Sequence, residues 1–276
     1  LLRRFTIPLA AAALGFGLFG LASPATAAPA GHAAAAHPLP RTFNPGGVLH
    51  GRGTLHIASH DGVRAAEVTS TNWSGYAVTG SNGAYSSVSA SWKQPTAHCA
   101  GSRRSTTYAA FWVGLDGYNS SSVEQTGTLI ECVGSTASYF GWYEMYPAGL
   151  VTYAKTLRAG DSLSASVTFS GTQTYTLVLT DATQGWTETT TRSQSGLARS
   201  SAEVITEAPC CTSSGGILPL ANFGTVSYAG SADNGSSMGT QSPTEIIIVD
   251  GSGNQEDSTS AISSSGAFSN AWIRST

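Results

Sequence analysis

Charge, histidine and cysteine are all scarce in this 276-residue chain, and each shortage removes a class of chemistry. Charged residues make up 11% of it, which argues against long surface helices or a coiled coil. Five of the six histidines (His32, His37, His50, His56 and His60) precede residue 61, and only His98 follows. A catalytic domain built on histidine has almost nothing to draw on. Gly235-Ser236-Ser237-Met238-Gly239 matches the G-x-S-x-G pattern, but that motif needs a strand-to-helix elbow and a later histidine. There is no HExxH, no phosphate-binding glycine loop and no CxxC spacing among Cys99, Cys132, Cys210 and Cys211. Metal and cofactor chemistry are therefore not expected. Basic residues are few as well. Arg3, Arg4, Arg41, Arg52 and Arg64 precede residue 67 against one acid, Asp61, leaving eight bases and fifteen acids in the remainder. Such an acidic body offers no groove for nucleic acid.

The N-terminus sets the expected compartment. Arg3 and Arg4 precede an apolar stretch from Phe5 to Leu21, and Ala25-Thr26-Ala27 supplies small residues for cleavage. That order is the pattern of a secretory signal peptide over residues 1–27, so a secreted, extracellular protein is expected. No second long apolar run follows, so no membrane association is expected after signal removal. Residues 28–66 are rich in Ala, His, Pro and Gly and read as a propeptide or flexible leader. This basic segment would cover an acidic domain until its histidines charge in acid. The domain proper is expected over 67–276, as a monomer.

From Thr71 onward short β-branched and aromatic runs are bounded by Gly, Asn, Asp and Pro. They include Trp73–Val78, Tyr85–Trp92, Tyr108–Asp116, Ser138–Tyr146, Ser162–Phe169, Tyr175–Thr180, Ala202–Glu207, Phe223–Tyr228, Glu245–Val249 and Ala267–Ile273. About a dozen short strands at close spacing imply an all-β sandwich or barrel. In a secreted chain the four cysteines imply two disulfides. Cys99 and Cys132 flank one strand and could close a loop, while Cys210 and Cys211 either bridge each other or cross-pair with the first two.

Carboxylates and amides are the chemistry that remains. Alternation puts Glu124 and Gln125 on opposite strand faces, and sets Glu203, Ile205 and Glu207 together on one. Pattern alone favours a solvent-bordering face for these two acids, with an aromatic-lined groove as the alternative. Trp73, Trp112, Trp142 and Tyr146 all stand beside polar residues.

Five motifs then occur in order: Asn72-Trp73-Ser74-Gly75, Phe111-Trp112-Val113-Gly114-Leu115-Asp116-Gly117, Gln125-Thr126-Gly127, Trp142-Tyr143-Glu144-Met145-Tyr146-Pro147 and Ala202-Glu203-Val204-Ile205-Thr206-Glu207. Together they resemble the glutamic peptidases, or eqolisins. Met145 stands where fungal members carry Trp, and Ala208 where they usually carry Asp, as in a bacterial branch. The resemblance implies a concanavalin A-like β-sandwich of two antiparallel sheets with a substrate groove across one of them. It implies catalytic Gln125 and Glu207, with Trp73, Trp112, Asp116, Trp142 and Glu144 lining or supporting a groove for protein or peptide substrates. The scheme would be a pepstatin-insensitive acid hydrolysis. Glu207 would act as base and then acid, and Gln125 as oxyanion donor. Two alternatives share the sandwich: a glycoside hydrolase using Glu144 and Glu207, and a lectin-like carbohydrate-binding module.

Overall fold

The computed structural model describes residues 56–60, 63–102, 105–210 and 216–275, with side chains from residue 67 onward. The expected signal peptide and most of the expected leader lie outside these residues. Seventeen strands occur among them: β1 (His56–His60), β2 (Val63–Ser70), β3 (Trp73–Thr79), β4 (Ser87–Lys93), β5 (Thr106–Leu115), β6 (Val123–Val133), β7 (Thr136–Tyr146), β8 (Val151–Thr152) and β9 (Ser162–Phe169), then β10 (Thr174–Asp181), β11 (Trp186–Ser193), β12 (Ser201–Glu207), β13 (Thr225–Asp233), β14 (Ser236–Ser237), β15 (Thr244–Ile248), β16 (Asp257–Thr259) and β17 (Phe268–Trp272). The only described helix is a three-residue 3-10 turn, Met238–Thr240.

These strands form the two-sheet sandwich that the resemblance implies. The first sheet runs β1-β2-β15-β3-β12-β5-β6-β7-β8, and the second β11-β10-β9-β4-β13-β17-β16 with β14 beside β13. Strand pairing is antiparallel except between β2 and β15, which run parallel. Strands β1 and β2 begin inside the 28–66 stretch, so regular pairing starts before the expected boundary at 67.

Period-2 patterning accounts for the second sheet. Val88, Ala90 and Trp92 on β4, Leu163, Ala165 and Val167 on β9, and Tyr175, Leu177 and Leu179 on β10 all point into the core between the sheets. Their neighbours Ser87, Ser89 and Ser91, Ser164, Ser166 and Thr168, and Thr174, Thr176 and Thr180 make a hydroxyl-covered outer face. The first sheet is different, because its central strands are buried on both sides. One face supplies Phe111, Val113, Val204 and Tyr143 to the inter-sheet core. The opposite face gathers Trp73, Trp112, Trp142, Leu129, Phe140 and Ile205 into a second apolar cluster. Burying both faces erases alternation, which is why β6 reads poorly in the sequence.

Cys99 and Cys132 form a disulfide across 33 residues, tying the loop after β4 to the end of β6. Cys210 is also disulfide-bonded, which rules out cross-pairing with the first two. Chain-entropy reasoning for a loop of that length gives the Cys99–Cys132 bridge about 3–4 kcal/mol. Replacing both cysteines with serine should lower the melting temperature by about 8–15 °C in a domain of this size, measurable by calorimetry. A shift of a degree or two would mean that the reduced chain is already constrained.

Candidate active site

Strand register brings the singled-out residues onto one face of the first sheet. Three rows cross it from β3 to β7. The first holds Trp73, Glu207, Ala110, Leu129 and Phe140; the second Gly75, Ile205, Trp112, Gly127 and Trp142. The third holds Ala77, Glu203, Gly114, Gln125 and Glu144. Glu207 and Gln125 are thus two strands apart, with β5 and its Trp112 between them.

Trp112 connects the two. Its Nε1 donates to Glu207 Oε2 at 2.8 Å. Its ring leans the other way, over Gly114. A Cβ added at Gly114 would lie 2.8 Å from Trp112 Cζ3 and 3.2 Å from Gln125 Cβ. Glycine is equally required at 127, where a Cβ would meet the Phe111 carbonyl oxygen at 2.1 Å and Trp112 Cβ at 2.6 Å. Trp73 packs edge-on against Trp112, with ring centroids 4.9 Å apart at 76°. The two indoles therefore have little room to turn.

The other oxygen of Glu207 is held as well. Asn72 Nδ2 donates to Oε1 at 3.3 Å. The Trp73 indole N–H also faces this carboxyl group but falls outside hydrogen-bond geometry. Gln125 Nε2 donates to Glu144 Oε2 at 2.7 Å, while Gln125 Oε1 is buried with no partner among the described residues. An unpaired buried acceptor is costly and marks a place for water or a ligand.

Burial dominates the electrostatics. It pushes the Glu207 carboxyl well above the usual carboxylate range; the Trp112 hydrogen bond opposes this, the nearby Glu144 charge adds to it, and Asn72 opposes it again. Burial raises Glu144 too, against the Gln125 hydrogen bond. Glu203 is raised by burial, with Ser201 opposing and the charges of Asp116 and Glu124 adding. On the opposite face, burial raises Glu124 to about 9, and Asp257 rises to about 7 for the same reason.

Several sequence expectations change at this point. The face of Glu203, Ile205 and Glu207 does not border solvent, since all three are fully buried. The outer face of this sheet is an aromatic-rich layer in which acids are enclosed. Trp73, Trp112, Trp142, Glu144, Gln125 and Glu207 come together on it. Asp116 does not join them. It stands at a φ of 71° just past β5, and its carboxylate accepts hydrogen bonds from the backbone N–H groups of Arg199 (2.7 Å) and Ser200 (2.9 Å). Its side chain fixes the loop leading into β12, so it supports the site from outside. Met145 and Ala208 point into the inter-sheet core, away from Glu207. Ser237 of the G-x-S-x-G match lies on the second sheet and leads into a 3-10 turn, without the helix of a nucleophile elbow. His98 is an exposed loop residue. Asn72 is the functional contact that the sequence left without a role. Its signal was membership of the Asn-Trp-Ser-Gly motif, but Glu207 lies 135 residues away.

The two-sheet sandwich is the fold of the glutamic peptidases. The sequence model of the Peptidase A4 family matches residues 71–272, and the chain belongs to that family. It is similar to scytalido-glutamic peptidase, solved with a transition-state analogue inhibitor, at 26% identity and a TM-score of 0.63. That match covers 74% of this chain and 98% of the other. Aspergilloglutamic peptidase from Aspergillus niger is 25% identical with a TM-score of 0.54, over 60% of this chain and 99% of its own. SCP-B, an eqolisin solved with the tripeptide Ala-Ile-His, shares the fold at 24% identity and a TM-score of 0.59, over 74% of this chain and 98% of its own. No curated protein sequence matches the chain. It is a peptidase, which sets the glycoside hydrolase and lectin alternatives aside.

The raised carboxyl groups give stability a definite direction with pH. Each binds its proton more tightly folded than unfolded, so its contribution is complete below the unfolded value of about 4 and is lost as pH rises. The loss continues to about 7 for Asp257 and about 9 for Glu124. Thermal melts from about pH 3 to about pH 9 should give the highest melting temperature on the acid side and a steady fall above about pH 4. A melting temperature that climbs toward neutrality would contradict this arrangement.

Proposed function

We propose that the chain is a secreted endopeptidase that cleaves protein or peptide chains in acid, with Glu207 and Gln125 as its catalytic pair. The observation that carries this reading is the asymmetry of the two residues. Glu207 has one N–H group on each carboxyl oxygen, whereas Gln125 keeps an unpaired oxygen and is held only through its nitrogen.

Each side chain then has a defined task. The ionised Glu207 carboxylate takes a proton from water as that water attacks the peptide carbonyl. Gln125 Oε1 accepts the water's other hydrogen and holds it in place. One amide hydrogen of Gln125 is committed to Glu144, which leaves the second for the oxyanion. Glu207 returns its proton to the departing amine, and the peptide bond is broken. Trp112 and Asn72 favour the ionised form of Glu207 against its burial, and burial disfavours the Glu144 charge that would oppose it. An amide donor does not titrate, so the oxyanion contact persists in acid, where the fold is also most stable.

Secretion is supported by the residue 1–27 pattern and by the disulfides. The enzyme is taken to act as a monomer without metal or cofactor.

Gln125→Ala and Glu207→Gln should each cut turnover of a denatured protein at acidic pH by at least about 10²–10³ while melting within a few degrees of the parent. Pepstatin should not inhibit the parent enzyme, since the scheme has no aspartic dyad. Full turnover by either variant would remove the mechanism.

A further inference from the structure

Ser70 is the last residue of β2 and stands one position before the family match begins. It is fully buried. Its hydroxyl accepts hydrogen bonds from the backbone N–H groups of Asn72 (3.2 Å) and Trp73 (3.1 Å). Both lone pairs of the oxygen then face donors, and the hydroxyl proton is directed to Asn72 Oδ1 at 2.9 Å. Its own carbonyl accepts from Val249 N at 2.8 Å, which ties it to the end of β15.

The direction of that one proton matters because Asn72 is the second donor to Glu207. A side-chain amide can turn over and exchange its oxygen and nitrogen with almost no change in shape. Here the Ser70 proton requires oxygen on its side, which turns the NH₂ toward Glu207 Oε1. In the reverse orientation an amide oxygen would face a carboxylate oxygen, and an NH₂ would face a hydroxyl already receiving two N–H groups. Asn72 also grips the neighbouring backbone, since its carbonyl accepts from Ala208 N at 2.8 Å.

We propose that Ser70 is a positioning residue for the catalytic glutamate, acting through the Asn72 amide, and that the active enzyme retains it. The inference rests on the reading of Glu207 as general base. It sets the functional boundary of the domain ahead of the family match at residue 71: any maturation cut falls on the N-terminal side of Ser70. A cut between Ser70 and Asn72 would leave every family motif in place and still release the orientation of Asn72.

The test uses point variants of the full chain, assayed on a peptide substrate across the acid range. Ser70→Ala should lower kcat about tenfold with KM unchanged, the size expected for a lost hydrogen bond to a charged group. It should also move the acid limb of kcat/KM to higher pH, because a donor favouring ionised Glu207 is no longer aimed. Asn72→Asp keeps the Ser70 contact but replaces the donor with an acceptor, so it should show the same shift and a larger loss. Ser70→Thr retains the hydroxyl and should restore both parameters. An unchanged acid limb in Ser70→Ala, or a loss no greater than its loss of folded protein, would overturn the proposal. So would a fully active enzyme whose N-terminus, read by mass spectrometry, lies after Ser70; this reading needs no variant to fold. Glu207→Gln separates the two levels. If it is inactive while Ser70→Ala behaves as the parent, only the positioning role falls; if it is active, the assignment of the base itself falls.

Discussion

The hydrogen bond from the Trp112 indole to Glu207 is the interaction on which the site depends. Trp112 is at once the centre of the outer apolar cluster and a donor to the buried carboxyl group. Its ring occupies space that Gly114 leaves open on its own strand, and Gly127 on the next strand admits its Cβ and backbone. The motifs Trp-Val-Gly and Gln-Thr-Gly are therefore one steric unit across the β5–β6 ladder. The ring reaches toward Gln125 on one side while its nitrogen holds Glu207 on the other, so packing and chemistry are set by the same side chain.

Enclosing acids in this way has a cost that neutral pH would expose. Glu144, Glu203 and Glu207 lie on one face of the sheet and Glu124 on the other, and burial raises every one of them. Few of these groups meet enough donors to stabilise a full charge. The same enclosure makes the folded chain a better proton acceptor than the unfolded one. Acid is then the condition that favours the fold, because these buried acids bind their protons more tightly in the folded chain, while the Gln125 amide does not titrate.

Much of the fold was legible in the sequence wherever one strand face is wet. Val88, Ala90 and Trp92 alternate with serines, and Ser162–Phe169 matches β9 at both ends. Legibility failed where both faces are buried. In β6 and β12 polar residues occupy dry positions, so Glu203 and Glu207 read as solvent-facing when they are enclosed. The first half of strand β2 reads as leader because it joins the sandwich through a parallel partner some 180 residues later, which no local pattern announces. At the site, the ordered motifs brought out Gln125, Glu207 and their aromatic neighbours. They did not separate Asp116, which braces a loop, from Glu144, which holds Gln125. Nor did they give Asn72 a role, since a carboxamide beside a turn acquires one only when β12 is laid against β3.

The outer face of the second sheet is polar with little charge. A conventional soluble surface relies on carboxylates and amines, and in acid the carboxylates discharge. The serine and threonine rows of β4, β9 and β10 do not titrate, so their water layer is the same at any pH the enzyme meets. They also present no fixed charge to screen. Along these three strands polarity therefore comes from groups that do not ionise, and Lys93 at the end of β4 is the one charged side chain in line with the rows.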